Sequence, residues 1–158
     1  MEKEVLKLEK SEAIKVYPSA PEWFKKVLIG TFGENCFGGK IIDRIFTVQD
    51  ALNERGKKLE DICRMDDRAD KKARDIMEYV IEVVNEDFKA DYDNGDQKKW
   101  SPIFQKTPTG FRFHGSGYDS TDAASSVGSR FCYASEEKCD HICSQPEFLA
   151  LYNDILTK

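Results

Sequence analysis

The last third of the chain constrains the fold most, because aromatic residues alternate with polar ones on both sides of a Ser- and Asp-rich segment. Phe111 and Phe113 alternate before this segment, and Phe131 and Tyr133 alternate after it. A period of two puts successive side chains on opposite faces of a sheet, so both stretches are predicted to be strands of an antiparallel meander. The intervening residues, 115–129, are predicted to form a polar loop between them.

Further strands are predicted upstream of this region. The turn sequence at 93–96 lies between residues 88–92 and 100–104, which have the aromatic content of paired strands. Pro102 has no N–H to donate, so the second of these strands is predicted to lie at a sheet edge. A partial alternation over residues 4–17 indicates a candidate N-terminal strand.

The strongest helical periodicity covers residues 67–86, where an apolar stripe opposes a charged face. The stripe consists of Ala69, Ala73, Ile76, Met77, Val80, Ile81 and Val84. A helix capped by Ser19 and a short one at 48–55 are also predicted. Thr47 is the expected cap of the short helix, because its hydroxyl can accept from an N–H of the first turn.

The C-terminal helical region is predicted to be interrupted. Ser135 is a suitable cap for its start, and Pro146 excludes a continuous helix because it lacks the N–H that a helix interior needs. Ser144 and Glu147 are spaced as a second capping box, so a new helix is predicted to begin after a break at 143–145.

These elements predict a single α+β domain over residues 1–158, with an antiparallel β-meander of three to five strands and helices packed on one face. At this length folding buries roughly 70% of the surface that the unfolded chain exposes, which is enough for one core. Hydrophobic residues make up 40% of the chain and aromatic residues 11%, a composition typical of folded proteins.

Charge and cysteine content limit the classes of partner and compartment. The formal net charge is −5, from 24 basic and 29 acidic residues spread along the chain. No run of Lys and Arg could neutralise several phosphates at once, which argues against a nucleic-acid partner. The five cysteines form an odd set typical of free thiols in a reducing compartment. With no signal peptide and no apolar run of membrane-spanning length, we expect a cytoplasmic protein without a membrane partner.

The sequence contains no catalytic triad, Walker loop, dinucleotide fingerprint or closed metal motif, so no cofactor is predicted. The predicted loop is longer than most connections and rich in hydrogen-bonding groups, which is typical of a functional surface. The candidate binding residues are therefore in and beside it: His114, Ser116, Asp119, Asp122, Ser129 and Arg130.

Three alternative sites remain open. Cys132 and His114, with Asp119 or Asp122, would form a nucleophilic enzyme site if their strands pair side by side. Exposed strand aromatics could instead stack single-stranded bases. Cys139 and Cys143 lie one helical turn apart and would need His141, His114 or Cys132 to complete a zinc site, whereas buried Cys is commonly a small apolar group.

Segments spread along the chain carry a resemblance. IIDRIFTVQDAL, DYDNGDQKKWSPIF and VGSRFCYASEE followed by FLALYNDIL resemble an uncharacterised family of small proteins encoded by bacteriophages and mobile elements of gut anaerobic bacteria. The resemblance runs from about residue 4 onward and departs at 144–146, where relatives continue one helix. It implies a phage or mobile-element origin and assigns no catalytic residue. Because the sequence also lacks a closed catalytic constellation, we expect an accessory protein that binds a host or phage protein without catalysis.

Overall fold

The computed structural model of the protein describes residues 7–119 and 131–157, apart from the side chains of Asn35 and Asp119. Within these residues the fold is α+β, as predicted, with helices and one two-stranded antiparallel sheet. The elements in chain order are α1 (Lys10–Val16), α2 (Glu22–Phe32), α3 (Val48–Arg55), α4 (Ala69–Asn85), β1 (Lys99–Thr107), β2 (Gly110–Asp119), α5 (Glu136–Cys143) and α6 (Pro146–Leu156), with short 3-10 helices at Tyr17–Ser19, Glu34–Cys36, Ile41–Arg44 and Leu59–Asp61.

Helix α4 is the centre of the core, which confirms the predicted apolar stripe except at Ala69, which is exposed. Its residues Met77, Val80 and Val84 are fully buried, and the helix packs against α3 and α6. The sheet itself is covered by α5 and α6 rather than by α4. Because α6 contacts both the sheet and α4, it connects the part of the core next to the sheet with the part around α4. No helix of the described ranges is both long and apolar enough to cross a lipid bilayer.

The start of α3 follows the sequence prediction. Thr47 Oγ1 accepts from the Asp50 N–H at 3.2 Å, and the Asp50 carboxylate accepts from the Thr47 N–H at 3.0 Å. The predicted cap of α2 is wrong, since Ser19 Oγ donates instead to the Val16 carbonyl at 3.2 Å. Pro21 is the N-cap residue of α2, where a missing N–H costs no helical hydrogen bond.

The sheet in the described residues has two strands, fewer than the three to five predicted. β1 and β2 form a hairpin in register from Lys99↔Asp119 to Thr107↔Gly110, so the turn lies at 108–109. Residues 88–92 contain turns and coil rather than a strand. The N-terminal strand expected within 4–17 is also wrong in its described part, because α1 begins at Lys10.

The segment around Tyr133 makes a single β-bridge rather than a strand. Tyr133 and Trp100 exchange two main-chain hydrogen bonds of 2.7 and 3.1 Å. The next residue of β1 that faces this segment is two positions along, Pro102, which has no N–H to donate. Within residues 7–119 and 131–157, pairing with this segment is therefore limited to one bridge, and the missing N–H of Pro102 accounts for its end on that side.

A β-bulge at His114 sets the faces of the hairpin. Phe104 is opposite Phe113 and Ile103 is opposite Gly115, so His114 has no residue across from it. The extra residue shifts the two-residue period by one position. As a result Phe113 and Tyr118, which alternation alone would put on opposite faces, share the side that carries Phe104 and Trp100.

The break between α5 and α6 is confirmed, but its expected capping box is not. Ser135 Oγ accepts from the Lys138 N–H at 3.2 Å and caps α5 as predicted. Ser144 Oγ donates to the Asp140 carbonyl at 2.6 Å, and the Glu147 carboxylate accepts from the Val48 N–H at 3.3 Å. Glu147 thus ties α6 to the start of α3 rather than to its own cap.

Candidate functional site

The candidate binding residues predicted beside the loop are only partly within the described chain. His114 is exposed at the bulge of β2, and Ser116 is half-buried with its Oγ donating to Asp140 Oδ1 at 2.6 Å. Residues 115–119 belong to β2 and not to a loop. Asp122, Ser129 and Arg130 lie outside the described residues, as does the side chain of Asp119, so their binding role stays a prediction.

The structure does not bring Cys132 and His114 together. Cys132 lies beside Tyr133, which pairs with one edge of β1, whereas His114 belongs to β2 on the other edge. The Cys132 thiol is buried at 3.4 Å from the Tyr92 hydroxyl. Strand β1 therefore separates the two groups that the nucleophilic site requires.

The Cys139 and Cys143 thiols are part of a buried polar chain. Cys143 Sγ lies 3.9 Å from the Tyr133 hydroxyl, which lies 2.8 Å from the Tyr152 hydroxyl. The hydrogen bond with Cys143 and burial together raise the pKa of the Cys139 thiol far above its ordinary range. The Cys139 thiol is thus held neutral, the opposite of what a metal ligand needs.

His141, a further candidate ligand of the alternative zinc site, is directed elsewhere. His141 Nε2 lies 2.6 Å from the Ile45 carbonyl oxygen, toward the segment that precedes α3. Across residues 7–119 and 131–157, no three His, Cys, Asp or Glu side chains come close enough to hold a metal ion. The packing interpretation of Cys139 and Cys143 is the one that the geometry favours.

The acidic turn before β1 surrounds a lysine of the chain itself. Lys99 is 1% exposed, and its Nζ donates to the carbonyl oxygens of Asn94 and Gln97 at 3.2 and 3.0 Å. The ammonium also lies 5.2 Å from the centre of the Tyr92 ring. The burial of Lys99 was not predicted, because the carbonyls that hold it come from a turn whose path the sequence pattern does not specify.

An open groove of about 490 Å³ lies between the hairpin and the end of α6. We call it the hairpin groove. Its apolar walls consist mainly of Pro102, Phe104, Phe111, Phe131, Ile155 and Leu156. Leu156 is 42% exposed, and the three phenylalanines are half-buried. The groove thus presents aromatic and aliphatic surface to solvent.

The position of α6 beside the hairpin depends on Asn153. Its Oδ1 accepts from the Phe111 N–H at 2.7 Å, and its Nδ2 donates to the Phe111 carbonyl at 2.9 Å. This amide occupies both main-chain groups of Phe111, as a neighbouring strand would. The contact was not predicted, since an Asn within a helical pattern gives no signal that its side chain pairs with a strand.

Arg74 on α4 is the one charged residue among the described residues that line the hairpin groove. The sequence places Asp70 one turn before it as a favourable partner, but Asp70 pairs with Arg68 at 3.1 Å. The Arg74 side chain is exposed and makes no hydrogen bond or ion pair within the described chain. The Arg74 guanidinium is thus available to bind an anion at the rim of this apolar groove.

A second concavity, of about 530 Å³, lies near the C-terminal end of α4. Glu82 on its wall bonds to Arg55 at 2.8 Å. Asn85 donates to the Cys132 carbonyl at 2.8 Å and accepts from the Ala134 N–H at 2.9 Å. Because these polar groups already hold the fold together, the hairpin groove is the better candidate for a binding site.

Comparison with protein families, with curated proteins and with solved structures found no match to this chain. No activity therefore comes from a relative.

Proposed function

We propose that the protein acts by binding another protein, without catalysis, as an accessory factor of a phage or mobile element in the cytoplasm of a bacterial host. The observation that carries this proposal is the hairpin groove. Aromatic and aliphatic side chains line it, and one arginine stands at its rim. Aromatic residues and Arg are enriched where proteins bind each other.

The chemistry of the groove favours binding over catalysis. An enzyme site combines a cavity with several converging polar groups. The described groove wall instead has apolar side chains from β1, β2 and α6, with the Arg74 guanidinium as its charged group. The Cys132 and His114 pair, on which an enzyme would depend, is separated by β1.

The groove is next to the predicted recognition loop in the sequence. Phe131, a residue of the groove wall, directly follows the segment that contains the candidate binding residues Asp122, Ser129 and Arg130. We therefore expect those residues to act with the groove rather than as a separate site. The resemblance to phage and mobile-element proteins supports the same kind of role.

A peptide-display selection on the immobilised protein tests this function. Clones selected on the wild-type protein are compared on Leu156→Glu, which puts a charge into the apolar wall. Val27→Glu is the matched control, because Val27 is an aliphatic helix residue that is 52% exposed on α2 and lies outside the groove. We expect the clones to bind the control as they bind the wild type and to lose at least about tenfold in affinity on Leu156→Glu.

Thermal unfolding shows whether each variant keeps the fold, and a second groove variant, Ile155→Glu, guards against a change that acts only at Leu156. Clones that bind both groove variants as tightly as the wild type would show that the protein-binding surface is elsewhere. Failure to select any clone would also count against the proposal.

A further inference from the structure

We propose that the partner segment is an amphipathic helix that places apolar side chains in the hairpin groove and an acidic side chain on Arg74. This inference rests on the protein-binding function above and specifies its partner. The proposed occupant of the groove is a helix of another protein. Its helical form, its apolar anchors and its acidic charge each follow from a separate observation.

The main chain around the groove favours a helix over an extended peptide. A peptide that adds a strand to a sheet needs free N–H and carbonyl groups along one edge. Pro102 has no N–H, and both main-chain groups of Phe111 bond to Asn153. Recognition at these positions therefore comes from side chains, which is how a helix binds in a groove.

The size and lining of the groove suit large apolar anchors. Its volume of about 490 Å³ is within the roughly 300–1,000 Å³ of sites that enclose sizeable ligands. Half-buried Phe104 and Phe111 on one side face Ile155 and Leu156 on the other. Leu, Ile or Phe side chains, one helical turn apart on a partner, would bury this surface.

Charge complementarity indicates that the partner helix is acidic. The other basic residues of α4 have partners, since Lys71 pairs with Asp67 and Asp75 and Lys72 donates to the Met65 carbonyl. Just before α4, Arg68 pairs with Asp70. Arg74 alone in this series has no such partner in the described chain. A carboxylate can take up both arms of its guanidinium in a bidentate contact.

The experiment uses synthetic fluorescein-labelled peptides of about 16 residues, long enough to form a helix. They carry the sequence of a display clone whose binding is lost on Leu156→Glu. A twin peptide has each Glu and Asp replaced by Gln and Asn. Fluorescence anisotropy measures both peptides against the wild-type protein, Arg74→Glu and Lys26→Glu, the last being a control with the same charge change on α2.

We expect the acidic peptide to bind the wild-type protein and Lys26→Glu about three- to tenfold more tightly than its amide twin. On Arg74→Glu this preference should vanish or reverse. The preference should also decrease as salt is added, and circular dichroism should show that the bound peptide is helical.

The possible outcomes separate the two proposals. Clones that depend on the groove but bind without regard to Arg74 or peptide charge would overturn the acidic helix and leave protein binding intact. A bound peptide without helix content would overturn the helix. Absence of any groove-dependent clone would overturn both proposals.

Other occupants of the groove would also be recognised. Concentration-dependent self-association that Leu156→Glu abolishes would identify a second copy of the chain as the occupant. Peptide binding that occurs only after residues 121–129 are replaced by a Gly-Ser linker would identify the chain's own segment. Either result would overturn the proposed partner.

Discussion

At the scale of single residues, Cys132 decides whether an enzyme interpretation survives. We predict that iodoacetamide labels Cys132 in the native protein far more slowly than a model thiol, because all five cysteines are buried and a reactive thiolate needs access as well as a low pKa. Mass spectrometry of the alkylated peptides measures the rate for each cysteine. In denaturant all five should label at the rate of the model thiol.

The same experiment has an internal control. Burial raises the pKa of the Cys63 thiol, and the Cys143 hydrogen bond with burial raises that of Cys139, so both should stay unlabelled under native conditions. Rapid native labelling of Cys132 alone would restore the nucleophilic site and displace protein binding as the leading function.

Residues whose role depends on near neighbours were predictable from the sequence. Two of the four predicted caps, Thr47 and Ser135, are correct, since a cap needs a partner only a few positions away. The other two, Ser19 and Ser144, donate instead to carbonyls of the preceding turn. Lys99 and Asn153 were missed because their partners depend on how distant segments meet. The ion pair expected between Asp70 and Arg74 is absent for a similar reason. Asp70 lies near two arginines in the sequence, and in the structure it pairs with Arg68.

At the scale of elements, the buried Lys99 fastens the turn before β1 to the hairpin. We predict that Lys99→Met lowers the free energy of unfolding by about 2 kcal/mol, because two hydrogen bonds from a charged donor are lost while the aliphatic stem is kept. Urea unfolding followed by tryptophan fluorescence measures the change. Lys98→Met is the matched control and should lower the free energy of unfolding by less than about 1 kcal/mol. Lys98 is exposed, and its ammonium lies over the face of the Tyr118 ring.

Equal stability of Lys99→Met and the wild-type protein would show that the ammonium is dispensable and that packing alone holds the turn. Loss of stability in both Lys98→Met and Lys99→Met would indicate a general effect of charge in this acidic turn.

Element prediction succeeded where one periodic signal ran long, whereas short signals gave mixed results. The short strands predicted at 100–104 and 111–113 lie within β1 and β2. Helix α4 was found because its stripe repeats over several turns. The N-terminal strand was wrong because the apolar positions there were few, and Ala13 of α1 is buried instead. The third strand of the meander was predicted from the alternation of Phe131 and Tyr133, which is present in the sequence. The described part of this segment pairs with β1 by a single bridge, because Pro102 cannot donate the next hydrogen bond.

At the scale of the whole molecule, α6 connects stability with the proposed binding site. Tyr152 joins the buried hydroxyl pair, Asn153 holds the hairpin, and Ile155 and Leu156 face the groove. The sequence predicted this helix but not its three roles, because they depend on Tyr133 and on neighbours from β1, β2 and α4. The α+β class followed from local patterns, while the groove arises only where those elements meet.

The buried hydroxyl pair should make the whole fold sensitive to alkaline pH. Burial raises the pKa of Tyr133 and Tyr152 well above the ordinary value of 10.0. Above that pH the unfolded chain loses these protons while the folded chain keeps them. The stability that the two tyrosines contribute is therefore fully present below about pH 9 and decreases as pH rises, by up to about 1.4 kcal/mol per pH unit for each group. Urea midpoints measured from about pH 7 to about pH 11 follow this decrease.

The Tyr152→Phe variant should be less stable than the wild-type protein at neutral pH, because the 2.8 Å hydroxyl contact is lost. Its stability should then decrease less steeply with pH, because one titrating group is gone. Tyr118→Phe, at a ring that is 54% exposed, is the matched control. An equally steep decrease in Tyr152→Phe and the wild-type protein would show that the buried tyrosines do not govern alkaline unfolding.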